Sequence, residues 1–480
     1  MSRTSPRTRT RTRPLIHRRA PLTTWDPEDA GFWRATGRET ANRNMRTSVF
    51  AEHIGFCVWS LWSVLVLFMT PKSGFTLTAG DKFLLASVVT LVGSAVRPFY
   101  GYAVTRYGGR TWTAFSVLAM LVPVVGATVL MGYPGAPFGA FVACAAVSGI
   151  GGGSFASSTT NINFFFPERE KGRALGINAG AGNLGVATAQ LLGLLVIATA
   201  GIRAPRVLAA IFIPLLVIAA LAALANMDNL PGTRTDGRSY ARALRNPWTW
   251  TISVLYVGTF GSFIGYSFAF GLVLQNDFGR SPLSAAALTF IGPAVGSLLR
   301  PVGGQLADRV GAARITVVSF AGLAAATAVT VAASALHSLP LFIGAFVVIF
   351  ALSGLGNGST YALIPVPFRA AAARAIARGA DPGPAWLAAR RRTGAVIAIA
   401  GTCGGLGGVA INLAFRQSYA VAHNARPALV GFLVCYAVCV AVTLLAASSA
   451  RKSRAAVLTG TRREQAVPRE QAPPREGAAA

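Results

Sequence analysis

Acidic residues are scarce in this chain. Asp and Glu number 16 among 480 residues, against 44 Lys and Arg, and the four types together make up only 12% of the sequence. Soluble domains carry about 25% charged residues, so a globule built from this chain would have too little polar surface to face water. Histidine is rarer still, at 4 residues, and the five cysteines (Cys57, Cys144, Cys403, Cys435 and Cys439) lie inside apolar runs without ligand-type spacing. That excludes a thiolate metal centre and leaves the cysteines as small core residues. No nucleophile–base pair or metal-ligand set lies in the apolar segments, so neither an enzyme nor a cofactor nor a metal is expected. The first 20 residues, rich in Arg, Thr and Pro, also lack the apolar core of a cleavable leader.

What the chain has is apolar length. It is 53% hydrophobic, and twelve runs stand out near 49–70, 82–105, 112–132, 137–162, 172–199, 206–227, 250–275, 284–306, 314–336, 340–362, 393–416 and 425–448. Each approaches the ~20 residues that a helix needs to cross the hydrocarbon of a bilayer. The expected fold is an all-α membrane protein of twelve transmembrane helices in two six-helix halves. The expected organisation is a disordered basic tail over 1–48, a first half over 49–228, a linker over 229–249, a second half over 250–450 and a disordered tail over 451–480.

The net charge of +28 sits between the runs and in the tails, which suits membrane topology better than a nucleic-acid-reading face. One set of loops holds Arg106 and Arg110, then Arg169, Lys171 and Arg173, then Arg234 to Arg245, Arg309 and Arg314, and a run from Arg369 to Arg392. The opposite loops are poor in Lys and Arg. The positive-inside rule therefore puts the rich loops and both termini in the cytoplasm, as an even number of crossings requires. The Arg-rich start of the chain is read as a solvated, topology-setting tail, with anionic lipid as its alternative contact.

The two halves repeat one another. RPFYGYAVTRYGGR begins at Arg97 and RPVGGQLADRVGAAR at Arg300. SGIGGGS begins at Ser148 and SGLGNGS at Ser353. GNLGV begins at Gly182 and GGLGGV at Gly404. Matching runs six positions apart imply parallel halves with a site between them near mid-membrane, the layout of major facilitator transporters; GQLADRVG (304–311) also resembles the loop motif of that superfamily.

Arg97 and Arg300 are the candidate site. Each lies inside its run, where a charge costs at least ~2.5–3.5 kcal/mol, and the hydropathy pattern leaves no carboxylate in a span core to offset them. Two buried cations without buried anions imply an anion from solution. A guanidinium presents paired N–H donors in a plane and fits a small planar oxyanion. Tyr256 and Phe260, four residues apart, share one helix face, and Phe155 lies in the Gly-rich fourth run. Gly180, Gly182, Gly185, Gly404, Gly405 and Gly407 allow close helix approach. Asn183, whose repeat counterpart is Gly405, is the polar exception among them.

GIGGGSFASSTTNINFFFPEREKGRALGINAGAGNLG (149–185) resembles the fourth and fifth spans of the nitrate/nitrite porter family. YVGTFGSFIGYSFAFGLVL (256–274) resembles its seventh span, GNGSTY (356–361) its tenth, and the stretch from Gly394 to Gly408 its second Gly-rich signature. Ser154, Thr159 and Thr160 depart from the family pattern. The resemblance implies nitrate and nitrite as substrates, carried across the inner membrane of a prokaryotic cell in nitrate assimilation, and a monomer is expected. It implies that Arg97 and Arg300 clamp the anion, that Phe155, Tyr256 and Phe260 wall the site, and that Asn183 contacts the anion. Another small anion, or a transport-dead sensor of the same fold, are the competing readings.

Coupling follows from the same residues. With Glu52 and His53 at the cytoplasmic edge of the first span as the only titratable candidates, the span cores offer no proton carrier. Two like charges also make an empty site costly to reorient. The expectation is nitrate/nitrite exchange, with proton symport through Glu52 and His53 as the alternative.

Overall fold

The computed structural model describes residues 22–201, 205–230 and 237–465, and these are helices and connecting turns throughout. Eleven helical stretches among them are long and apolar enough to cross a membrane. We label the crossings α1 (Ala30–Phe68), α2 (Ala79–Tyr107), α3 (Gly109–Leu130), α4 (Phe138–Phe165), α5 (Glu168–Ala200), α6 (Pro205–Asn226) and α7 (Pro247–Phe278). The next stretch, Pro282–Ala335, holds 54 residues. Laid straight it would measure about 80 Å, against a hydrocarbon core of about 30 Å. It turns at Gly311, whose φ is 107°, and the segments before and after both pack on the following helix. These are two crossings, α8 (282–306) and α9 (Ala312–Ala335). Next come α10 (Leu339–Ala377), α11 (Pro382–Ala422) and α12 (Arg426–Gln465), which completes the expected twelve.

Local chemistry sets the helix ends. Asn246, Ser281 and Asp381 cap helices whose first residue is Pro247, Pro282 or Pro382, positions where the missing N–H of proline costs nothing. Thr78 and Asp81 form a capping box at the start of α2. Gly108, at φ 87°, turns the chain from α2 to α3 as Gly311 does from α8 to α9. The repeat thus places a glycine at both positions where an L side chain would be strained.

Across the two halves α2 packs on α11, α5 on α8, and α1 on α7. The Arg-rich loops share one end of this bundle, here the basic end. Ion pairs join the halves there. Glu168, at the start of α5, pairs with Arg390 of α11 (2.6 Å) and Arg369 of α10 (3.4 Å), and Glu28 pairs with Arg390.

Three boundaries differ from expectation. Residues 1–21 lie outside the described residues, but α1 begins at Ala30, inside the segment expected to be a disordered tail. Trp33, Ala41 and Met45 are buried against Ile162, Phe165, Phe166 and Ala174, and Arg43 pairs with Asp228 at 2.5 Å. Dispersed apolar residues order this segment although its mean hydropathy is low. In the linker, 231–236 lies outside the described residues, while Gly237–Leu244 is a short helix packed on α11. At the far end α12 runs on to Gln465, into the segment expected as a tail; 466–480 lies outside the described residues.

Candidate functional site

Each arginine precedes a proline, Pro98 or Pro301, which removes one backbone donor and loosens its helix there. Arg97 is 1% exposed and Arg300 3%. Arg97 Nε donates to the Gly152 carbonyl of α4 (3.2 Å) and Nη1 to the Gly401 carbonyl of α11 (2.7 Å), so one side chain bridges the two halves. Arg300 Nη2 donates to the Tyr256 hydroxyl of α7 (2.8 Å). Carbonyl capping therefore accounts for part of Arg97. It leaves Nη2 of Arg97 and Nη1 of Arg300 buried without a hydrogen-bond partner among the described residues. An unmet charged donor costs free energy until something accepts from it.

Both guanidinium groups face the same two rings. Arg97 Cζ lies 4.7 Å from the Phe260 centroid and 5.5 Å from that of Phe155; Arg300 Cζ lies 5.9 Å and 5.3 Å from them. Phe155 and Phe260 stack at 6.4 Å, and Tyr256 stacks on Phe260 at 5.4 Å. A ring face attracts a cation by about 0.5–2 kcal/mol, which keeps the arginines in place without consuming their N–H groups.

Irregular backbone presents these rings. A π turn over Val257–Gly261 carries Phe260 in α7, and a 3-10 stretch over Gly149–Gly153 precedes Phe155 in α4; such breaks in α-helices recur at functional sites. A Cβ on Gly404 would stand 2.5 Å from Tyr256 Cδ1 and 3.2 Å from Phe260 Cδ1, and one on Gly407 2.9 Å from Val257 Cγ1. Gly405 faces Ser94, Gly180 faces Pro301, and Gly185 faces the His53 backbone. The six glycines are contact points between helices.

Glu52 and His53 overturn one expectation. They lie well inside the 39-residue α1 rather than at a span edge, because the helix starts at Ala30. Glu52 is 1% exposed and accepts a hydrogen bond from Ser158 of α4, while Oε1 has no partner among the described residues. A Cβ on Gly182 would collide with that oxygen. A carboxyl group is thus buried in the bundle, where hydropathy indicated none. His53 turns away, its Nδ1 2.9 Å from the Ala181 carbonyl.

Asn183 is buried and its Oδ1 has no partner among the described residues, and no hydrogen bond ties it to either arginine. Sequence reasoning missed Trp59, whose ring lies 5.4 Å from Arg97 Cζ, and Tyr361, 5.8 Å from Arg300 Cζ. Tyr361 closes the GNGSTY segment, a signal that was present. Trp59 had none beyond being aromatic. Ser158 and Asn178, which form a hydrogen-bonded chain to Glu52, were also unassigned.

The model of the Major Facilitator Superfamily matches residues 54–412. The chain is 34% identical over 443 residues to the nitrate/nitrite transporter NarU of Escherichia coli (strain K12), covering 88% of this chain and 95% of that one. It is 32% identical over 374 residues to the probable nitrate/nitrite antiporter NarK2 of Thermus thermophilus, covering 72% and 83%. Among solved structures, the human organic anion transporter MFSD10 (TETRAN) superposes with a TM-score of 0.61 over 84% of this chain and 99% of that one, at 11% identity. That likeness speaks for the fold.

Proposed function

Because the chain belongs to the major facilitator superfamily, and within it to the nitrate/nitrite porters, we propose that it carries nitrate and nitrite across the membrane by alternating access, with the anion held between Arg97 and Arg300. The observation that carries this reading is that Nη2 of Arg97 and Nη1 of Arg300 have no hydrogen-bond partner among the described residues, while both guanidinium groups face the rings of Phe155 and Phe260, on which Tyr256 stacks. A planar oxyanion accepts from both donors and offsets part of their positive charge. Asn183, through the N–H donors of its amide, serves as a further contact once the helices move. The basic end and both termini face the cytoplasm of a prokaryotic cell by the positive-inside rule, and the carrier acts as a monomer, since one chain supplies both arginines.

Exchange of nitrate for nitrite was expected because hydropathy placed no carboxyl group in a span core and because two like charges make an empty site costly to reorient; Glu52, buried in α1, removes the first of these grounds.

The test is entry of labelled nitrate into liposomes holding the purified protein. Trapped nitrate or nitrite should accelerate entry several-fold, and trapped sulfate should not. Equal acceleration by sulfate would contradict the assignment of a small planar substrate.

A further inference from the structure

A cavity of about 580 Å3 lies between α7, α11 and α12, and neither arginine of the clamp lines it. It exists because α12 packs chiefly on α9 and leaves a gap toward α7 and α11 over its first turns. A Cβ on Gly431 of α12 would meet nothing within 4 Å. Gly431 and Val421, both in the lining, are exposed, so the gap opens as a groove on the outer face of the bundle. Its volume falls within the ~300–1,000 Å3 of ligand pockets.

The lining excludes a polar guest from the deep part of the groove. Its hydroxyl groups are already engaged: Ser262 and Tyr436 share a hydrogen bond of 2.7 Å, Tyr436 and Tyr266 one of 3.0 Å, and Ser418 donates to the Asn424 carbonyl at 2.6 Å. A buried polar ligand would find no free partner there, which is costly. A hydrocarbon chain meets no such penalty. Lipid tails are as apolar as these walls, and a chain in the groove restores dispersion contacts that an empty void forfeits.

The mouth of the groove has the opposite character. Gln417, exposed, lies near Val421 and Pro427 at the end remote from the Arg-rich loops. Arg426, also exposed, adjoins Pro427; its backbone N–H and Nε donate to Asn424 Oδ1. No carboxylate among the described residues pairs with it. A guanidinium free of an acid suits a phosphate. From Pro427 to Tyr436 the helix rises about 14 Å, close to the ~15 Å depth of hydrocarbon in one leaflet. The groove therefore has the polarity gradient and the depth of half a bilayer.

We propose that this groove binds a phospholipid of the leaflet remote from the basic end, with one acyl chain between α7, α11 and α12 and the phosphate on Arg426. The chain lies against Val257 and Gly258, the first residues of the π turn that carries Phe260, so the lipid backs the aromatic wall from outside. The inference depends on the chain crossing a membrane and not on which anion it carries.

The experiment places the full chain in nanodiscs of phosphatidylethanolamine containing a phosphatidylglycerol with a diazirine midway along one acyl chain. After illumination, lipid adducts are mapped by peptide mass spectrometry. Adducts should concentrate between Gly407 and Tyr436. Gly431→Trp, whose ring fills the groove, should lower them several-fold, and Arg426→Gln should lower them to a smaller extent. Val122→Trp, which adds the same ring at an exposed position of α3, should leave them unchanged. Each variant is checked by its melting transition, and adducts on the first half serve as the internal reference. Adducts spread evenly around the bundle, or unchanged between Gly407 and Tyr436 in Gly431→Trp, overturn the proposal. So does a peptide from a second copy of the chain crosslinked at the groove, which would make this face a protein interface.

Discussion

At the scale of single residues, the site is a problem in unmet donors. Arg97 is anchored by two glycine carbonyls and Arg300 by one hydroxyl, so the two arms of the clamp differ in rigidity. Replacing Tyr256 by Phe keeps the ring stack on Phe260 but frees Arg300 Nη2. A hydrogen bond to a charged group is worth about 1.5–3 kcal/mol, so Tyr256→Phe should weaken nitrate binding by roughly tenfold or more without unfolding the protein. Thermal-shift titration with nitrate checks it; unchanged affinity with an unchanged melting point would show that the hydroxyl does not orient the clamp. Arg97 and Arg300 were legible in the sequence because the repeat flags them twice and a charge inside an apolar run is costly. Glu52 was misread. Hydropathy placed the membrane edge at residue 49, and one-dimensional hydropathy does not register burial by neighbouring helices. The pairing of Glu52 with Gly182 spans two helices distant in sequence, and only the fold brings them together.

At the scale of helices, the twelve apolar runs correspond to the twelve crossings, most with interior boundaries within a few residues of those observed, although α11 begins at Pro382 rather than near 393. The errors fall where polar sequence is ordered by packing. Residues 30–48 continue α1 because Trp33, Ala41 and Met45 find a partner surface on α4 and α5. The π turn in α7 was not legible either. Tyr256 and Phe260 were placed on one face by their spacing of four, and they do stack, although the turn that carries Phe260 is wider than an α turn. Gly404 explains how α11 accepts it: only a residue without Cβ lets that backbone lie against both rings. The dense glycines, read in the sequence as a packing device, are therefore also what shapes the aromatic wall.

At the scale of the whole molecule, two halves meet around the arginines, and every side chain of the clamp is nearly sealed from solvent. Opening toward the basic end requires breaking the ion pairs of Glu28 and Glu168 with Arg369 and Arg390. Exposed pairs are worth about 0–1 kcal/mol each, so this set is a light latch whose loss shifts populations without disrupting the fold. Arg390→Ala removes two of the pairs. Spin labels on α5 and α11 at that end should report a longer mean separation in Arg390→Ala than in the wild type. An identical distance distribution would show that the latch does not bias the two states. Added salt should lengthen the wild-type distance in the same direction.

The account stands on two arginines sharing one anion, and nitrate affinity in the arginine variants tests that most directly. Calorimetric titration should be run on the wild type, Arg97→Lys and Arg300→Ala, each verified as folded by its melting transition. Lysine keeps the charge of Arg97 but loses the planar fork, and alanine removes one donor set outright. Both variants should lose at least about tenfold in nitrate affinity, a change of about 1.4 kcal/mol, with Arg300→Ala losing at least as much as Arg97→Lys. Wild-type affinity in both folded variants would contradict the clamp and place the anion elsewhere in the bundle.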